Sequence, residues 1–419
     1  MLVVVWFCVA FVAGLFLLAL FRPHLEYKIA NACALDIDSD DFPRQLEILG
    51  NAKLQRCFVE VLTDGYQFYE AELNAIRHAR RSVHLEAYIF KEGEVAGRFL
   101  KALAERARAG VEVRAVLDAV GSLTTFNEYF QEVHDAGGRI VFYHPIRWHI
   151  WDRYNNRTHR EIIVVDSEVG FVGGAGFADH WLKPAGDQPP WRDSMYLVRG
   201  EAVAGLESVL VENWAEAAGE ILNFQSDVLP PGLEGDIPAL VVSGTPSAGG
   251  STRNRIVFQT FLASAVESLF ITNPYFLPDD SISQELIRAR ERGVDVKIIT
   301  SGKKSDQSFT RSASRRTYGA LIESGVDIYE YEPAMNHTKS MLVDGLWSIV
   351  GTTNFDSRSF GLNDEVNLIA RSKALAERIG RDFRADLQDS RLITLHEWKR
   401  RPLQERVLEA CSGLLERQQ

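Results

Sequence analysis

The chain opens on an uninterrupted apolar run, Leu2 to Phe21, that carries no charged side chain. At the α-helical rise this is about 30 Å of helix, the thickness of a bilayer's hydrocarbon core. Arg22, His24 and Lys28 follow the run and nothing basic precedes it. The pattern predicts one transmembrane anchor over 1–22, with the basic flank and the rest of the chain on the cytoplasmic side of the inner membrane. A cleaved signal peptide ending at Ala30-Asn31-Ala32 is the rival reading. The missing basic n-region and the length of the run favour the anchor.

Beyond residue 50 the apolar and polar positions repeat. Ser82 to Phe90 and Ser268 to Phe276 are both apolar strands that end in a polar or aromatic loop. Each leads into a helical stretch closed by glycine and then a β-branched strand. These are Arg106 to Asp118, with Gly110, and Ala289 to Ile299, with Gly293. A glycine there fits a helix C-terminus that needs a left-handed residue. Ala136 to Pro145 and Glu323 to Pro333 form a third matching pair. Alternating strands and helices predict an α/β fold in two tandem halves. We place a linker over 23–50, the first half over 51–220, a second linker over 221–255 and the second half over 256–419. The second linker is drawn at Pro230-Pro231-Gly232 and at the run Ser243 to Gly250.

Composition narrows the function. The net charge is −11 over 419 residues, which disfavours a nucleic-acid partner, since phosphate backbones call for a basic surface. Cys8, Cys33, Cys57 and Cys411 are scattered. They show no metal-ligand spacing and no disulfide framework, so neither a zinc site nor disulfides are expected and a reducing compartment is the simpler reading.

The candidate chemistry lies in runs that follow the repeated strands. In the second half, His337-Thr338-Lys339-Ser340-Met341-Leu342-Val343-Asp344 continues to Gly351-Thr352-Thr353-Asn354. Strand alternation puts His337 and Lys339 on one face, with Asn354 brought in by the next turn. An imidazole can attack phosphorus or protonate a leaving oxygen, while an ammonium and an amide neutralise phosphoryl oxygens. Glu365 is expected to hold one ring nitrogen of His337 and fix its tautomer.

This set, His337-x-Lys339-x4-Asp344 with Gly351-x-x-Asn354 and Glu365, resembles the signature of the phospholipase D superfamily. Asn273 to Pro278 and Asn354 to Phe360 resemble cardiolipin synthases within it. The resemblance covers nearly everything after residue 50. It implies two phospholipase-D-like α/β/α halves facing each other across a pseudo-twofold axis, with no cofactor. It also implies one histidine as nucleophile, forming a phosphohistidine, and the other as acid and base. Phospholipids are the implied substrates, with phosphatidylglycerol converted to cardiolipin plus glycerol. A water-using phosphodiesterase and a degenerate lipid-binding protein are the alternatives. Family habit favours His159 as nucleophile and His337 as acid/base, which is the expected assignment, although the fuller set of neighbours around His337 argues the reverse.

The first half departs from the pattern. It reads His159-Arg160-Glu161 to Asp166, then Gly173-Gly174-Ala175-Gly176, with Asp193 as the counterpart of Glu365. Glu161 stands at the lysine position and Gly176 at the asparagine position. Arg157, Arg160 or Arg192 is expected to pair with Glu161 or to replace the lost cation. Asp166 and Asp344 are expected to be structural. Tyr88, Asn273, Tyr275 and Thr353 are candidates for lining the substrate site, since α/β folds place ligands at strand ends. The segment Ile146 to Tyr154, rich in tryptophan, tyrosine and arginine, suits a membrane interface or an ordinary packed loop.

Overall fold

The computed structural model describes Trp6, Gly14 and residues 27–29, 36–125, 127–145, 155–222, 235–245, 252–403 and 405–406. Apart from Trp6 and Gly14, the expected anchor lies outside them, as does the Ile146–Tyr154 segment. Among the described residues no helix is long and apolar enough to cross a membrane.

The first half supplies β1 (Gln55–Thr63), β2 (Ser82–Ala87), β3 (Glu112–Asp118), β4 (Arg139–Tyr143), β5 (Arg157–Thr158), β6 (Ile162–Val165), β7 (Val169–Gly173) and β8 (Ser194–Gly200). The second supplies β9 (Ile237–Gly244), β10 (Ser268–Thr272), β11 (Asp295–Ser301), β12 (Asp327–Tyr331), β13 (Ser340–Val343), β14 (Trp347–Gly351), β15 (Asn363–Arg371) and β16 (Ser390–Leu392). They form one sheet in the order β16-β12-β11-β10-β13-β14-β15-β9-β1-β8-β7-β6-β2-β3-β4, with β5 attached to β15. Read outward from the β9–β1 junction as far as β12 and β4, the two arms have the same connectivity, which is a pseudo-twofold arrangement, and β16 extends one arm by a strand.

Local chemistry explains the repeated unit. β2 and β3 run parallel, as do β10 and β11, so each pair needs a crossover helix. These helices are Glu94–Arg108 and Asp280–Glu291. In the first, Val95, Ala96, Phe99, Leu100 and Leu103 are buried, the spacing of one apolar helix stripe. Gly110 at φ 85° and Gly293 at φ 93° close the two helices in the left-handed conformation.

Two expected boundaries change. The stretch 221–255 contains β9, whose Leu240, Val241 and Val242 are buried. β9 pairs with β1 and β15 and thereby joins the halves. The stretch 23–50 contains a helix, Asp41–Gly50, whose Phe42 and Leu46 lie one turn apart on the buried side. Phe42 meets Phe261 and Trp347 edge-on at 5.3 and 5.5 Å between ring centroids, so this helix belongs to the core of the second half. A third apolar cluster draws Val59, Val164 and Leu206 together with Val241, Leu342, Val366 and Leu375. The halves therefore share a core.

Candidate active site

The histidines sit where the two halves are stitched together. β5 pairs in parallel with the start of β15, placing Arg157 beside Asn363 and Thr158 beside Asp364, and the His159 amide donates to the Asp364 carbonyl at 2.9 Å. On the opposite side the Arg192 amide donates to the Met335 carbonyl at 2.9 Å. There the His337 amide donates to the Arg192 carbonyl at 2.7 Å. Each histidine is thus held beside the carboxylate of the other half. His159 Nδ1 lies 3.0 Å from Glu365 Oε1, and His337 Nδ1 lies 3.0 Å from Asp193 Oδ2. The expected partnership of Glu365 with His337, and of Asp193 with the first half, is corrected to this exchange. Partners follow from the strand pairing at the junction, not from proximity in sequence.

Both carboxylates are themselves oriented. Asp193 Oδ1 accepts from its neighbour's amide, Ser194 N, at 2.8 Å, and Oδ2 accepts from Trp181 Nε1 at 3.2 Å. Glu365 Oε2 accepts from Thr352 Oγ1 at 2.5 Å. A carboxylate only accepts, so Nδ1 of each ring carries the proton and Nε2 is left for chemistry. Burial pushes the Asp193 carboxyl up, but His337 and Lys339 pull it further, to below its usual range. Burial and the neighbouring Lys339 hold His337 below the ordinary imidazole value, outweighing Asp193. Its neutral form is therefore favoured.

Lys339 is fully enclosed at this point. Its Nζ donates to the His337 carbonyl at 2.8 Å and lies 3.0 and 3.1 Å from the two ring nitrogens. Burial pulls the ammonium down to about 8, against the opposing pull of Asp193, Glu365 and Glu161. Lys339 and His337 of the second half thus meet Asp193 of the first at one point.

Glu161 is buried, and its Oε1 accepts from the amides of Tyr88 and Ile89 at 3.1 Å each. Its Oε2 is buried without a partner. The expected arginine partners are engaged elsewhere. Arg157 binds the His144 carbonyl, Arg160 binds the Val209 carbonyl and Glu212, and Arg192 binds Asp386. A Cβ added at Gly176 would lie 2.6 Å from the Ile89 carbonyl and 2.8 Å from Glu161 Oε1. The space of a side chain at 176 is thus taken up by the Ile89 backbone and by Glu161. Among the described residues no group of three His, Cys, Asp or Glu side chains is arranged to hold a metal ion.

The sequence matches the family described as cardiolipin synthase, PLD-like domain, over residues 73–183 and 258–387. A cardiolipin synthase of Geobacillus kaustophilus is 35% identical over 358 residues, spanning 85% of this chain and 71% of that protein. A cardiolipin synthase of Alkalihalophilus pseudofirmus is 35% identical over 360 residues, with the same coverage of 85% and 71%. The chain belongs to the cardiolipin synthase family of phospholipase-D-like proteins. The phosphatidylserine synthase of Haemophilus influenzae superposes with a TM-score of 0.67 at 15% identity, over 90% of this chain and 100% of that one. That likeness shows the fold.

Within this cardiolipin-synthase-family fold, Asp166 and Asp344 are committed to the main chain. Asp166 accepts from the amides of Arg80, Arg81 and Ser82, and Asp344 accepts from those of Val266, Glu267 and Ser268. Both stand at positive φ, 55° and 51°, which aspartate tolerates better than most residues. Tyr88 meets the His159 ring edge-on at 5.2 Å, and Tyr275 meets His337 at 6.1 Å. Asn273 is different. Its amide donates to the Thr353 carbonyl at 3.3 Å and accepts from Phe355 N at 3.1 Å. Thr353 Oγ1 accepts from Asn367 at 2.7 Å. These two side chains brace the turn that carries Asn354, where they had been expected to line the substrate site. Asn354 itself is buried, with Oδ1 lacking a partner.

Sequence reasoning missed Thr352, Trp181 and Asp306. Thr352 lies inside the Gly351–Asn354 run and was within reach of a motif reading. Trp181 and Asp306, the latter accepting from the Tyr275 hydroxyl at 2.6 Å, have no counterpart in the repeat that would mark them.

Proposed function

We propose that the chain is a phosphatidyltransferase that moves a phosphatidyl group from one phosphatidylglycerol to the glycerol head of a second, forming cardiolipin and releasing glycerol. The reciprocal pairing of two histidines with two carboxylates across the halves carries this reading, and the family supports the substrate class. Neutral His337, with Nδ1–H held by Asp193, offers Nε2 to phosphorus. As the P–N bond forms, the bond from phosphorus to the glycerol oxygen breaks, and His159 gives that oxygen its proton. His159 then takes a proton from the incoming hydroxyl, whose oxygen attacks phosphorus as the P–N bond breaks. Lys339 and the Asn354 amide neutralise charge on the non-bridging oxygens. His159 retains 13% side-chain exposure against 5% for His337, which suits the histidine that exchanges one alcohol for another.

Leu2 to Phe21 serves in this reading as the inner-membrane anchor of a cytoplasmic enzyme, on the strength of its apolarity and basic flank. The test is a mass-spectrometric lipid assay of the protein in detergent with phosphatidylglycerol, beside His159→Ala and His337→Ala. Cardiolipin and glycerol, lost in both variants, are expected. Phosphatidic acid as the sole product would replace transfer with hydrolysis.

A further inference from the structure

We propose that Glu161 is a phosphate contact of this site, its Oε2 hydroxyl donating a hydrogen bond to a non-bridging phosphoryl oxygen. The inference rests on the same two-histidine centre as the proposed function and deepens it.

The geometry begins with what holds the carboxyl. Two main-chain amides converge on Oε1, while Oε2 is enclosed and has no partner. A buried polar atom left unpaired is disfavoured, so a satisfied state of the site should supply a partner. The groups facing Glu161 come from three further elements. Lys339 approaches from the second half, Glu72 lies on the helix Gly65–Arg77, and the Tyr88 and Ile89 amides follow β2. Tyr69, on that same helix, spends its hydroxyl on the Gly176 carbonyl at 2.5 Å. His159 shares the approach to β6 with Glu161, two residues earlier, and is tied to Glu365.

Among the described residues no cation is hydrogen-bonded to Glu161, and burial drives its carboxyl well above the usual range. A neutral acid has one donor to offer, and a phosphodiester oxygen is an acceptor. An ionised carboxylate would repel that phosphate, whereas the acid form binds it. Buried carboxylic acids kept neutral for hydrogen-bond donation are an established device of enzyme sites. Gly176 completes the argument. A Cβ at 176 would stand 2.6 Å from the Ile89 carbonyl and 2.8 Å from Glu161 Oε1, so the Ile89 backbone and the enclosed acid together leave room only for glycine there.

The test compares Glu161→Gln with Glu161→Leu and Glu161→Met, reading inhibition by inorganic vanadate, cardiolipin formation and thermal unfolding. Glutamine keeps an acceptor for the two amides and presents N–H donors where Oε2–H stood. It is expected to hold vanadate affinity and kcat/KM within about threefold of the parent. The apolar variants should lose about tenfold or more in both, and because they also strand the Tyr88 and Ile89 amides they should unfold earlier than the parent while remaining folded at the assay temperature. Should one of them fail to fold, the other carries the comparison. Vanadate affinity unchanged in the apolar variants would overturn the proposal. So would a glutamine variant as weak as leucine, because a base and not a donor would then be at work. If the parent turned over no phosphatidylglycerol yet bound vanadate more tightly than the leucine variant, the phosphate contact would stand and the transferase reading would fall.

Discussion

Replacing Asp193 with asparagine tests the exchanged pairing at one atom. Asp193 receives three donors: the Ser194 amide on Oδ1, and Trp181 Nε1 and His337 Nδ1 on Oδ2. An amide cannot satisfy all three. With its oxygen toward Ser194, the NH2 group confronts the Trp181 N–H and forces His337 to accept at Nδ1, moving the ring proton to Nε2. With the oxygen toward Trp181 and His337, the NH2 group faces the Ser194 N–H, and the negative charge that steadies a phosphorylated ring is gone. A hydrogen bond to a charged group contributes about 1.5–3 kcal/mol. At about 1.4 kcal/mol per factor of ten, kcat should fall about 10- to 150-fold, and further if the wrong tautomer dominates. Cardiolipin formation measures the rate, and nitrogen NMR of the imidazole rings identifies which histidine responds. The His337 signals should move and those of His159 should stay. The opposite pattern, or a change of less than about threefold in rate, would refute the cross-half assignment.

Glu365→Gln should reverse that NMR pattern, moving His159 and sparing His337. Thr352→Val should weaken activity in the same direction by less, because it removes only the hydroxyl that orients Glu365. The rate should fall on the alkaline side as Lys339 loses its proton at about 8, and Lys339→Arg should carry that limb to higher pH. Asp193 is held below its unfolded value, so its contribution to stability is present above the ordinary aspartate range and is lost as pH falls through the depressed folded value. Denaturant unfolding across acidic pH should show this slope in the parent and not in Asp193→Asn. Asp344→Ala strands three amides at the entrance to β10 and should lower unfolding stability by about 2–3 kcal/mol, measured in the same way.

The local features of this protein were legible in its residues. Gly110 and Gly293 marked helix ends because few other residues accept that φ. The runs after Gly110 and Gly293 read as strands because β-branched side chains fit a pleated surface. The spacing from His337 to Asp344 showed the site because a strand and the turn after it set that distance without help from the rest of the fold. Asp166 and Asp344 end strands in the same local way, each accepting from amides that lead into β2 or β10 of its own half.

Tertiary structure decided what depends on contacts between distant segments. β9 lay inside an apparent linker because its apolar run is short and flanked by proline and glycine; pairing with β1 and β15 makes it the junction of the halves. The helix Asp41–Gly50 is attached to a core that begins about two hundred residues later in the sequence, which a local periodicity cannot reveal. Glu365 and Asp193 were recognised, yet their partners were not, because the pseudo-twofold junction brings each beside the other half's histidine. The sequence by itself determined which residue types would meet a phosphate. Only the packing of one half against the other decided which carboxylate orients which ring, and that Glu161 would be enclosed with one oxygen unsatisfied.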